Sequence, residues 1–240
     1  MLGAVGLLGA LPCLYFLLDR PLPTGQPGAQ AELLAQRMLK AVDAQAWKRT
    51  GAVRWTFADR HHLWDRERHL ARVRWDDTEV LVNLDNGSGR AWRAGLLLSS
   101  AEGAAAVDKA YRYWINDAFW LNPAVKLFEP GVSLQQVATE AEDTGLLVTY
   151  SAGGATPGDS YLWLLGPDGL PRAWRMWVSI LPLGGLEVSW QGWTKLSTGA
   201  QVATRHKVFF FDLELTNVAG AANLAALEPG PDPFTPFLEE

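Results

Sequence analysis

Along most of this chain apolar residues recur at every second position, and in two places the interval lengthens to that of a helix. Val53, Trp55 and Phe57 alternate with Arg54 and Thr56, and Ala71, Val73 and Trp75 with Arg72 and Arg74. Leu186, Val188 and Trp190 alternate with Glu187, Ser189 and Gln191. A period of two places each apolar set on one face of a strand. Val80, Val82 and Leu84 alternate with Leu81 and Asn83 and lead into "DNGSG", where Asn86 and Gly87 suit a tight hairpin. Later strands are read in "GLLVTYSA", "SYLWLLGPDGLPRAWRMWVSIL" and "QVATRHKVFFFDLEL", punctuated by Pro167-Asp168-Gly169 and Gly184-Gly185.

The helical intervals are as clear. In "AELLAQRMLKAVDAQAW", Leu34, Met38, Ala41, Val42 and Gln45 share one side, which predicts an amphipathic helix ending before Gly51. Ser99 followed by Glu102 has capping-box spacing and opens a second helix that must stop near Pro123. The sum is a mainly β chain: one antiparallel sheet of roughly eight to eleven strands with two helical insertions. Adjacent strands twist by about 20 to 25°, so a sheet this wide curls. Two helices suffice to cover one face only, and the expected fold is an unclosed β-barrel with both helices at its concave face.

The first residues stand apart. Leu2 to Leu18 carry no charge and would span about 25 Å as a helix, slightly short of a ~30 Å hydrocarbon core. No Lys or Arg precedes Leu2, the small-x-small triplet Ala29-Gln30-Ala31 comes late, and Pro12 before Cys13 fits a lipobox poorly. The Pro/Gly-rich "DRPLPTGQPGAQ" follows as a tether. Residues 1–20 are therefore read as a signal or membrane anchor, 21–30 as a linker, 31–225 as the β domain and 226–240 as an extended tail. The expected compartment is the cell envelope, periplasmic or anchored facing the periplasm.

Composition narrows the function. A chain of 240 residues with 48% hydrophobic and 20% charged residues is globular, and its net charge of -5 argues against nucleic acid. Arg66, Arg68, Arg72 and Arg74 form a local basic patch, but acidic residues interrupt it and it reads as a solvated strand face. Cys13 is the single cysteine, so the body has no disulfide or thiolate metal site. Asp59, His61, Asp65 and His69 suggest a metal site only until distance is considered, since positions four apart on a strand are about 13 Å apart. His206 shares a strand side with Val202, Thr204 and Val208, which suits a core histidine. Glu140, Glu142, Asp143 and Asp159 supply carboxylates without a motif, and no nucleophile elbow or P-loop is present. The reading is a non-enzymatic protein without metal or cofactor.

Twelve tryptophans change the picture again, because Trp suits sheets and the rims of cavities alike. In "WINDAFWLNPAVKLFEPGV", Trp114 and Phe119 differ by about 140° on a helix and cannot share one seam with Trp120. Two environments stay open for these rings: a dry core, or an apolar cavity with Trp163, Trp174 and Met176 opposite. The candidate ligand-binding residues are those six.

The order of elements over residues 31 to about 220 resembles the LolA/LolB-like fold of outer-membrane lipoprotein carriers. More closely, it resembles an uncharacterised bacterial envelope family of that shape. The resemblance rests on "WINDAFWLNPAVKLFEPGVSL" and "TPGDSYLWLLGPDGLPRAWRMWV". It implies an unclosed β-barrel whose hydrophobic concavity takes acyl chains, and no catalysis. The expected partner is a lipid or the acyl chain of a lipoprotein. The rival expectation is an interaction module with a filled core that docks a partner protein through aromatic surface patches.

Overall fold

The computed structural model describes residues 19–139, 144–152 and 156–238. The apolar segment 2–18 with Cys13, and the carboxylates Glu140, Glu142 and Asp143, lie outside the described residues. Numbered in chain order, the helices are α1 (Ala29–Ala41), α2 (Ala44–Lys48), α3 (Ser100–Leu121), α4 (Leu224–Leu227) and α5 (Thr235–Leu238). The strands begin with β1 (Ala52–Phe57), β2 (Arg60–Asp65), β3 (Leu70–Trp75), β4 (Thr78–Asn83), β5 (Gly89–Arg93) and β6 (Leu96–Leu97). They continue with β7 (Val132–Ala138), β8 (Thr144–Tyr150), β9 (Ser160–Leu165), β10 (Pro171–Trp177) and β11 (Leu186–Ser189). The last are β12 (Thr194–Lys195), β13 (Gln201–Val202), β14 (Arg205–Val208) and β15 (Phe211–Ala221). Among the described residues no helix is long and apolar enough to cross a membrane.

The fold is mainly β and antiparallel, as the period of two requires, but the strands divide between two large sheets rather than forming one. The first has eight strands in the order β14-β15-β1-β2-β3-β4-β5-β6, the second five in the order β11-β10-β9-β8-β7, and β12 and β13 pair as a ribbon. Each large sheet ends on two different strands, so neither closes into a barrel. The chain also separates into two compact units, one of residues 1–39, 126–190 and 207–211, the other of residues 40–125, 191–206 and 212–240.

In the second unit, α3 covers one face of the eight-stranded sheet. Ala106, Val107 and Ala110 pack on Val73, Val80, Val82 and Ala91, and the small side chains let helix and sheet approach closely. Gly89 on β5 is part of that fit, because a Cβ there would lie 2.3 Å from the Leu81 carbonyl oxygen and 3.0 Å from Val107. Ser99 Oγ donates to Glu102 Oε2 at 2.7 Å, a side-chain version of the expected capping box. The helix ends at Leu121, and Asn122 turns away (φ -163°, ψ 72°) ahead of Pro123, whose ring disfavours a helical residue before it.

Two expectations need correction. The first predicted helix is broken: Asp43 adopts φ 50° and caps a new short helix by accepting from Ala46 N at 2.9 Å. The break resets the phase, so Gln45 is exposed while Ala46 and Trp47 are buried. The C-terminal segment is not extended throughout. It makes two short helical turns, and Leu224, Leu227 and the fully buried Phe234 cluster with Leu63, Leu70 and Leu81. Those strand leucines share the sheet face away from α3, and without this segment they would lie open to water.

The first unit contains the five-stranded sheet and most of α1. Both sheet faces are apolar: Val137, Leu147 and Leu162 cluster on one, with Leu164 and Trp177 against them. Tyr161, Trp163, Trp174 and Met176 alternate onto the other by the parity of β9 and β10. Arg37 of α1 donates through Nη2 to the carbonyl oxygen of Gly166 at 3.2 Å and to that of Pro167, which ties the helix to the β9–β10 turn.

Candidate functional site

The end of α3 is half-buried against its own unit. Trp114 meets Trp64 edge-on at 5.1 Å and lies 6.2 Å from Tyr111, whereas Trp120 lies 6.4 Å from Phe57 and 5.3 Å from His206. Phe119, between them in sequence, is also half-buried. Trp114 and Trp120 both pack against the cluster of Trp47, Trp55, Phe57, Leu121 and Leu215. Trp114 and Trp120 thus meet different parts of one core.

Trp163, Trp174 and Met176 sit in the other unit, on adjacent strands. Trp163 and Trp174 are register partners with ring centroids 4.8 Å apart, and Trp190 completes a triangle at 5.0 and 4.8 Å. Tyr161 extends the cluster, 4.6 Å from Trp174. Trp163 and Trp174 are fully buried and Met176 is 8% exposed. Of the two environments left open for these three, their rings and side chains are packed among neighbours, with the cross-strand tryptophans interlocked.

The exposed aromatics lie elsewhere. The turn from β14 to β15 presents Phe209, Phe210 and Phe211 at 54, 80 and 60% exposure, with the last two rings 4.3 Å apart. Phe209 takes φ 53°, the left-handed geometry of a tight turn. Lys207 N donates to Ser189 Oγ at 2.9 Å, which fixes the start of this hairpin to the end of β11. At the start of β11, Arg20 N donates to the Gly184 carbonyl at 3.0 Å, Gly184 N to Asp19 Oδ1 at 2.8 Å and Trp177 Nε1 to the Arg20 carbonyl at 2.7 Å. The chain that follows the apolar N-terminal segment is therefore pinned to the β10–β11 loop, and the same loop exposes Ile180 at 74%. Four-residue β11 connects the two apolar points. Sequence reading took "VFFFDL" as plain strand; three consecutive phenylalanines break the period of two, as a turn does and as a strand buried on both faces also does.

A polar cluster lies under α3. Asp117, with a fully buried side chain, accepts from Arg60 Nε at 2.7 Å, Arg60 Nη2 at 2.9 Å, His62 Nε2 at 2.7 Å and Asn116 Nδ2 at 2.9 Å. Burial opposes the Asp117 charge, but these bonds outweigh it and hold the carboxyl below its ordinary range. The Asp117 bond raises Arg60. Burial lowers His62 against the pull of Asp117, and the Arg60 charge adds to the lowering. A neutral His62 that donates through Nε2 leaves Nδ1 as an acceptor, and that atom is buried with no hydrogen-bond partner. Protonation would turn it into a buried, unsatisfied donor. The ring stacks on Trp55 at 4.6 Å and 11°. Both side chains of the His62–Asp117 pair are sealed from solvent, so the pair is a structural clasp and offers no atom to a substrate. The other histidines have local partners: His61 Nδ1 meets Thr56 Oγ1 at 2.9 Å and His69 Nδ1 meets Asp85 Oδ1 at 2.7 Å.

The class these features define is a mainly β protein of unclosed antiparallel sheets with filled aromatic cores. No family model and no curated protein matches the chain. Among solved structures it is similar to a DUF1329 family protein from Desulfovibrio piger, at 11% identity and a TM-score of 0.41 over 85% of this chain and 98% of that one. So distant a similarity carries no argument about activity, and the carrier-like fold implied by the aromatic motifs is not confirmed by it.

Proposed function

We propose that this chain is a non-enzymatic cell-envelope module that works against a lipid bilayer, held there by residues 1–20. Apolar contact is made through the hairpin tip of Phe209, Phe210 and Phe211, and the partner is acyl chain, of the bilayer or of a lipidated protein. The observation that carries this reading is the tip itself: three adjacent phenylalanines exposed while Trp163, Trp174 and Trp190 of the same unit are buried. A folded chain leaves such a patch open where it meets something apolar.

A bilayer suits the tip better than a folded partner does. At exposures of 54, 80 and 60% the three phenylalanines offer about 400 Å² of apolar surface, half of the ~800 Å² per partner of a stable protein interface. A narrow tip needs no matching surface in lipid. The fastening of Asp19 and Arg20 to the Ile180 loop supports the same reading, since it starts the apolar N-terminal segment from the unit that bears the tip.

The test places benzoylphenylalanine at position 210 of the full chain in native membranes, followed by irradiation and mass spectrometry. A phospholipid or lipoprotein acyl adduct is expected. An adduct to an unlipidated protein surface, or none, overturns the reading, and the former favours a docking module.

A further inference from the structure

The sheet face away from α3 holds a cleft of about 410 Å³, built within the unit that contains α3. Parity puts Arg54, Arg72 and Arg74 on that face, because Arg54 is the register partner of Leu63, Leu63 of Arg72, and His61 of Arg74. Three arginines face Glu228 in the lining, and Glu79, the register partner of Arg74, shares their sheet face, in a chain whose net charge is -5. Glu228 is engaged by Arg54 Nη1 at 2.9 Å. The side chains of Arg72 and Arg74 make no hydrogen bond or ion pair among the described residues.

Arg72 is the informative one. It is half-buried, between the register partners Leu63 and Leu81, which are 2% and 1% exposed. Burial lowers its affinity for its proton and Arg74 lowers it further, with Glu79 and Glu228 pulling the other way. A guanidinium that is partly stripped of water, crowded by a like charge and joined in no ion pair has lost solvation that the chain repays only in part. The rim is shaped for the same purpose. The pairing of β1 with β15 shifts register between Arg54 and Thr56, and Asn217 within the bulge takes φ 53°. Its Nδ2 donates to Thr56 Oγ1 at 3.3 Å, and Thr56 Oγ1 in turn meets His61 Nδ1 at 2.9 Å, which orients the imidazole at the cleft. Bulges commonly re-aim side chains beside sites.

We propose that this cleft binds a phosphate group, gripped by Arg72 and Arg74 with His61 as an additional donor, the phosphate belonging to a small phosphate ester or to a phospholipid headgroup. Guanidinium forks match phosphate oxygens two at a time, and paired forks that no carboxylate engages are open to an oxyanion. The volume exceeds that of bare phosphate and leaves room for an ester substituent. Glu228 sets the affinity by occupying Arg54. The site does not rest on the apolar tip: it belongs to the other unit, and its variants leave residues 209–211 untouched.

The experiment titrates the full chain with inorganic phosphate and with glycerol 3-phosphate at constant ionic strength, by calorimetry. The Arg72→Gln/Arg74→Gln double variant is expected to bind at least tenfold more weakly. Glu228→Gln is expected to bind several-fold more tightly, a gain that misfolding cannot mimic. Equal affinity in all three proteins, or no saturable binding by the native chain, overturns the proposal. The two sources separate on phosphatidylcholine vesicles with and without phosphatidic acid. Selective retention on phosphatidic acid that is lost in the double variant identifies a headgroup, whereas binding of glycerol 3-phosphate without such retention identifies a free ester.

Discussion

Two sets of aromatic rings in one unit have opposite fates. Trp163, Trp174 and Trp190 interlock across three strands with ring centroids 4.8 to 5.0 Å apart, and almost nothing of them reaches water. Phe209, Phe210 and Phe211 are as apolar and lie on a hairpin secured to the strand next to Trp190, yet more than half of each is exposed. Chemistry of the side chain does not separate them. Position does: alternate residues on paired strands meet partners from neighbouring strands, while residues at the tip of a hairpin have only each other. Density of aromatic residues therefore says little about where a ligand goes, and a break in their period says more.

The comparison breaks most visibly through stability. Trp174→Ala should cost about 3–5 kcal/mol, since the surrounding rings cannot collapse into so large a void, and urea denaturation will measure it. Asp117→Ala should cost a similar ~3–5 kcal/mol by leaving Arg60 and His62 without their shared carboxylate. A smaller effect is the pH dependence of the same clasp. His62 has a folded-state pKa below its ordinary 6.5, so the unfolded chain takes up the proton first as pH falls. Its contribution is complete above pH ~6.5 and is lost as pH falls from there toward the folded value. His62→Gln should flatten that part of a stability–pH profile; an unchanged slope would place the titration elsewhere. Asp117, depressed below 3.8, adds a second loss at lower pH. The smallest stability effect belongs to the exposed set: replacing Phe209, Phe210 and Phe211 together by Ser should move stability by no more than about 0.5 kcal/mol while abolishing contact with lipid. A large loss of stability there would mean that the tip is core and erase the contrast.

Much of the fold was legible in the residues. The period of two located β1, β3, β4 and β11, Asn86-Gly87 marked a hairpin, and Ser99 with Pro123 bracketed α3. These are local features, set by backbone geometry and by which side chains tolerate it. The break at Asp43 was less legible, because a left-handed residue in the middle of an amphipathic pattern needs tertiary contacts to make the interruption favourable. Asp117 carried a signal that went unread: it lies on the apolar stripe of Ala110 and Leu121, where a carboxylate requires buried partners. The basic strand face read as solvated had the right residues and the wrong neighbours, since the returning segment with Leu227 and Glu228 borders that cleft.

The sequence alone thus determined the antiparallel β class, the extent of α3, the face each strand residue occupies and the apolar character of the N-terminal segment. Only the tertiary structure decided that the strands form two sheets, that Trp163 and Trp174 bury each other, and that Arg72 is half-buried without an ion pair among the described residues. The physical reason is range. Backbone preference and side-chain parity act over a few residues, whereas burial and charge pairing depend on segments such as β2 and α3, separated by dozens of residues and brought together only by the whole fold.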